Sequence, residues 1–143
     1  MKKYSFLLIC LALSFSAMSQ KAVISFAEKS FDFGKIYEKD GNATHVFEFV
    51  NKGDGPLVIN RVQTSCGCTT PSWTKEPIAP GKNGTITVTY TTAGHSDFFQ
   101  KTITVYSNDE NEQTVLIIKG TLIPISATNP PAINSPAENK PTK

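Results

Sequence analysis

Thr85-Ile86-Thr87-Val88-Thr89-Tyr90-Thr91 decides the fold. Apolar and hydroxyl side chains alternate along it, which is the period of a β-strand with one buried face. Ile86, Val88 and Tyr90 point one way and the threonines the other. Thr102-Ile103-Thr104-Val105-Tyr106 repeats the pattern. His45, Phe47 and Phe49 share one face of a third run, with Val46, Glu48 and Val50 on the opposite face. Leu57 to Val62 and Val115 to Ile123 are two further β-branched runs. Ala22 to Phe26 and Phe31 to Ile36 read as a first strand, broken or bent near Glu28. No stretch between residues 21 and 123 carries a sustained helical stripe.

Turn chemistry separates these runs. Asp40-Gly41-Asn42, Asn51 to Pro56, Ala79-Pro80-Gly81, Lys82-Asn83-Gly84 and Ser107-Asn108-Asp109 all fall between apolar segments. Proline fixes φ, glycine supplies positive φ, and Asn or Asp folds back on the chain. Pro80-Gly81 suits the central positions of a type II turn. About seven short strands at this spacing predict an all-β chain folded as an antiparallel β-sandwich.

The flanks differ from this domain, which spans residues 21–123. Lys2 and Lys3 precede an apolar run from Tyr4 to Phe15, and Ala17-Met18-Ser19 places small residues at a cleavage site. That order is a secretory signal, residues 1–19, with cleavage expected between Ser19 and Gln20. The apolar run is short of the ~20 residues of a spanning helix, so no transmembrane segment is expected in the mature chain. Cys10 reads as signal filling. Pro124 to Lys143 hold five of the nine prolines and read as a flexible tail. The expected location is the periplasm or the extracellular space. Apart from Lys2 and Lys3, twelve Lys and Arg balance twelve Asp and Glu. No basic cluster suited to phosphates appears, so nucleic acid is not an expected partner.

Only Cys66 and Cys68 remain after signal removal. They lie too close together to staple two sheets. Residues two apart in an extended strand are roughly 6.6 Å apart at Cα. Disulfides favour about 5.5–6 Å. Gly67 is expected to permit the turn that closes the gap. The pair can be a passive bridge, two packed thiols, a redox couple or a holder of soft metal. A bridge closing so small a loop gains only about 1.5 kcal/mol in chain entropy before strain. Thioredoxin-like catalysts use two intervening residues and a helix N-terminus, and neither is present here. Two thiolates suit Cu(I), and a tetrahedral zinc site needs more ligands. His45 is a further metal candidate, although a rim histidine explains it more simply. His95 lies in a polar loop. Asp109, Glu110 and Glu112 read as a solvated turn without full calcium-loop spacing. No Gly-x-Ser-x-Gly elbow is present. Trp73 reads as a core or inter-sheet wedge, with a partner anchor as the functional alternative.

Several of these segments together resemble a known family. They are Phe31-Asp32-Phe33-Gly34-Lys35-Ile36, His45 to Gly53, Pro56-Leu57-Val58-Ile59, Ser65-Cys66-Gly67-Cys68-Thr69, Trp73, Pro80-Gly81, Phe98 to Asn108 and Leu116 to Gly120. Their order and spacing are similar to the exported bacterial family called "domain of unknown function 1573", over nearly all of residues 24 to 123. The resemblance implies an immunoglobulin-like sandwich and an export route. Its outline is similar to major-sperm-protein, abnormal-spindle and hydin domains, which are binding or assembly modules. It implies no reaction. The expectation is a non-catalytic module that binds a cell-envelope protein or polymer, with strand edges and loops as contact surfaces and no resident cofactor. The alternative is a thiol–disulfide or Cu(I)-handling protein acting through Cys66 and Cys68.

Overall fold

Eight strands form two four-stranded sheets in a computed structural model that describes residues 20–125. The expected signal (with Cys10) and the tail beyond Ile125 lie outside the described residues. The strands are β1 (Ile24–Phe26), β2 (Ser30–Tyr37), β3 (Ala43–Asn51), β4 (Ile59–Thr64), β5 (Thr69–Trp73), β6 (Asn83–Tyr90), β7 (Asp97–Ser107) and β8 (Gln113–Ile123). One sheet has the order β1-β3-β6-β5 and the other β2-β8-β7-β4.

The alternation read from the sequence sets the inner faces. Phe47, Ile86, Val88 and Tyr90 from the first sheet are buried with Ile103, Val105, Leu116 and Ile118 from the second. Tyr90 stacks on Phe99, with centroids 4.0 Å apart and planes 12° from parallel. Two phenylalanines lie across from glycines. Phe49 pairs with Gly84, and Phe99 pairs with Gly120. A Cβ on Gly120 would come 2.9 Å from Phe99 Cζ, and one on Gly84 would strike the Phe49 ring. The missing side chains are the space these rings occupy.

The first strand departs from the expectation. Ala22–Phe26 and Phe31–Ile36 are not one bent strand. β1 runs antiparallel to β3 in the first sheet, and β2 runs parallel to β8 in the second. The chain changes sheets around Glu28. This raises the strand number to eight and adds one parallel pair to an otherwise antiparallel sandwich. The turn at Pro80-Gly81 forms as expected. Lys82 N donates to Ala79 O at 3.0 Å, and Gly81 has φ +74°, the sign that a type II turn needs at that place.

Polar side chains caught inside are fully engaged at two nodes. Asn51 is completely buried; its Nδ2 donates to Gly55 O (2.7 Å) and Ile78 O (2.8 Å), and its Oδ1 accepts from Gly53 N (2.9 Å). Asp109 was expected in a solvated turn, yet it is buried. Its carboxylate accepts from Ile24 N at 2.7 Å and Asn111 N at 3.1 Å, so it ties β1 to the β7–β8 turn. Glu110 keeps to the surface in an ion pair with Lys21.

Asn51→Ala removes the side-chain partner of Gly55 O and Gly53 N and one of the two donors to Ile78 O, which keeps Leu57 N, so urea denaturation should show a loss of about 2 kcal/mol with native-like strand content retained. Burial raises the Tyr90 phenol above its ordinary value. The unfolded chain then holds fewer protons than the folded one as pH climbs past about 10, so stability falls there. Tyr90→Phe should flatten that alkaline decline in melts taken at stepped pH.

Candidate functional site: the corner between the sheets

β4 is an edge strand of one sheet and β5 an edge strand of the other. Four residues, Ser65 to Cys68, carry the chain between them. The tripeptide too short to staple two sheets is itself the crossing. Cys66 and Cys68 are joined there as a bonded pair, with Cα atoms 5.3 Å apart. That is shorter than the extended spacing and sits near the favoured disulfide range.

The crossing keeps its shape through backbone and hydroxyl groups. Ser65 ends the ladder between β4 and β7. Its N–H still donates to Thr102 O at 3.0 Å, while its Oγ accepts from Thr102 N at 3.1 Å in place of its carbonyl. The Thr64 hydroxyl reaches Cys66 O (3.0 Å) and Thr69 O (3.1 Å). Thr69 N donates to Cys66 O at 3.3 Å, and Thr91 N donates to Cys68 O at 2.8 Å. None of these bonds involves sulfur. The turn expected at Gly67 is there and closes the gap, but it does not draw on glycine's freedom. Its φ is not positive, and an added Cβ would touch nothing within 4 Å. The peptide curves without a conformation reserved for glycine, and the outer side of the loop is open.

Two groups face the sulfurs or their exit from the sheet. Thr69 is buried, and its Oγ1 lies 3.7 Å from Cys66 Sγ and 3.9 Å from Cys68 Sγ. Lys101 is half-buried and pairs with the fully buried Ile118, which turns it toward the inner face. It is the next inward position after Ile103, which pairs with Thr64, so it stands opposite the point where the chain leaves β7 at Cys66. Its ammonium makes no ion pair among the described residues. Neither residue stood out in the sequence, because the place where β4 hands over to β5 is set by strands distant in the chain.

The other candidates lie elsewhere. His45 is a pin in an aromatic cluster. Its ring stacks on Phe31 at 3.6 Å and meets Phe47 edge-on at 4.7 Å, and Nε2 lies 2.9 Å from Glu28 Oε1. It is thus committed to the β1–β2 crossing and is not grouped with Cys66 and Cys68. Among the described residues no group of three or more His, Cys, Asp or Glu side chains is placed to hold a metal ion. His95 is exposed in its loop. Trp73, at the far end of β5, faces inward beside Ile86, and the Lys75 ammonium lies 3.0 Å from its ring centroid. Trp73 is therefore a wedge whose open face a lysine covers, beside a surface depression of about 380 Å³. Among the described residues the most exposed aromatic is Phe98, at 64%. The sequence held the signal for it: adjacent Phe98 and Phe99 on one strand cannot both point inward.

If the hydrogen bonds and not the sulfurs shape the crossing, Cys66→Ser/Cys68→Ser should lose at most about 1.5 kcal/mol in urea. Thr64→Val should lose about 1–2 kcal/mol with the disulfide intact.

Among solved structures, a Porphyromonas gingivalis protein of unknown function aligns over 76% of this chain at 21% identity and a TM-score of 0.65. The present chain spans about half of it, 51%. The Vibrio cholerae protease VesB aligns over 69% of the chain at 16% identity and TM-score 0.54, covering 31% of the protease. The secreted serine protease VesC of the same organism aligns over 69% at 12% identity and TM-score 0.53, covering 23% of that chain. At these identities the likeness is one of fold. No curated protein sequence matches significantly. The profile of the family described as "Protein of unknown function (DUF1573)" matches residues 24–122, and the chain belongs to that family.

Proposed function

We propose that this chain is an exported immunoglobulin-like module that binds or organises components of the cell envelope. The observation that carries the reading is Phe98. A 64%-exposed phenylalanine projects from the outer face of β7, and exposed Tyr37 stands on the same face of the sheet through the pairs Phe98–Thr121 and Tyr37–Ile123. An apolar group held in water on a rigid strand suits a contact surface.

The free strand edges suit it less. β1 has three residues, β5 carries Pro71, and β2 and β4 are each interrupted by a register shift. Such features discourage strand addition, so the side-chain faces are the better docking surfaces. The similar outline fills a minor part of two larger Vibrio proteases, as an appended module would. Export rests on Lys2, Lys3, the apolar run and Ala17-Met18-Ser19. Among the described residues no helix is long and apolar enough to cross a membrane.

A photo-crosslinking amino acid at Phe98 tests binding in living cells, with exposed Gln63 on β4 as the control position. A discrete adduct at Phe98 and none at Gln63 is expected, on protein that fractionates with the envelope and begins at Gln20. Absence of any adduct at Phe98, or protein kept in the cytoplasm with residues 1–19 attached, overturns the reading.

A further inference from the structure

We propose that the Cys66–Cys68 bond is a thiol–disulfide exchange centre that accepts two electrons from paired thiols of a partner protein. This goes beyond docking, because it assigns a reaction to the corner.

Four observations carry it. The ring closed by the bond is so small that bridging adds little chain entropy, which leaves the disulfide more readily reduced than one closing a long loop. The crossing is already held by Thr64, Ser65, Thr69 and Thr91 through bonds that do not involve sulfur. Reduction therefore leaves both thiols side by side on an unchanged backbone. The Thr69 hydroxyl lies against both sulfurs and has no other hydrogen-bond partner among the described residues. Lys101, half-buried on the inner face of β7 one inward position beyond the Thr64–Ile103 pair, has no carboxylate partner among the described residues. A hydroxyl donor and a nearby cation both favour a thiolate, the form in which a sulfur departs from a disulfide.

The steps balance as follows. A partner thiolate attacks Cys66 Sγ, beside the open outer side of the loop at Gly67. The Cys66–Cys68 bond breaks as the mixed disulfide to Cys66 forms. Cys68 Sγ, which packs against the core, leaves as a thiolate and takes the Thr69 hydrogen bond. The partner's second thiolate then attacks its own sulfur in the mixed disulfide. The partner's disulfide forms, and Cys66 leaves as a thiolate. The partner loses two electrons and two protons; Cys66 and Cys68 gain the electrons and, from the partner or water, the protons. Thr69 and Lys101 are positioning residues in this scheme.

The test uses the mature protein with its disulfide formed and, as probe, a synthetic peptide with two reduced cysteines. Acid quenching and mass spectrometry follow both partners. The expected result is oxidation of the peptide matched by reduction of Cys66 and Cys68, at least about tenfold faster than with an equal concentration of oxidised glutathione, whose departing thiol has no such donors. In glutathione buffers, Thr69→Val and Lys101→Met should each shift the equilibrium toward the disulfide by about fivefold, the effect of one lost hydrogen bond or charge contact. Their thermal midpoints should stay close to the parent's, which a purely structural role would not predict alongside a redox shift. A disulfide that persists in excess peptide dithiol overturns the proposal. So does an equilibrium that neither variant moves.

Discussion

The side chains at alternate positions of β3, β6, β7 and β8 leave water only when the two sheets face each other, and everything else in the molecule is fitted around that requirement. A slip of one residue in β6 would send Thr85, Thr87 and Thr89 inward and Ile86, Val88 and Tyr90 out. The glycines refine the same register. Phe49 and Phe99 occupy room left by Gly84 and Gly120 on the facing strands, so a shifted pairing would put a side chain where each ring must go. Register is thus set by volume as well as by polarity.

Closing the two sheets also determines which polar groups are trapped. Asn51 ends β3 at one mouth of the sandwich and bonds three backbone groups from two loops at once. Asp109 gathers the N-H of Ile24, from a segment 85 positions away. Thr69 sits at the opposite end of the same logic, where the chain crosses between sheets and its hydroxyl meets sulfur in place of backbone. Two of these groups complete the fold. The third has a donor that the fold does not use.

Much of this was legible in the sequence wherever the signal is local. The alternation in β3, β6 and β7 and the Pro80-Gly81 turn depend on residues within a few positions of one another, so composition reveals them. The first run defeats a local reading for the opposite reason. Ala22–Phe26 and Phe31–Ile36 have the same strand character, and the change of sheet between them depends on β3 and β8, which are distant in the chain. Asp109 looked solvated because its neighbours are acidic and polar, while the groups that bury it come from the N-terminal segment. The cysteine pair was legible as chemistry and illegible as architecture. Its spacing announced a small loop, but nothing in Cys66-Gly67-Cys68 says that β4 and β5 belong to different sheets.

That placement changes what the small loop means. In an isolated peptide, a bridge between residues two apart would have to impose its own curvature, and cutting it would release the chain. Here the curvature comes from the neighbouring strands. Ser65 is still held to β7, and Cys68 O accepts from Thr91 N just past the end of β6, so the two ends of the crossing are fixed by different sheets. The sandwich core supports both ends, and its burial is far larger than one loop closure of this size. The bond is therefore nearly superfluous to the fold while its two sulfurs stay in register whether joined or not. A group that costs little to break and nothing to realign is poorly suited to be a staple and well suited to be spent and restored.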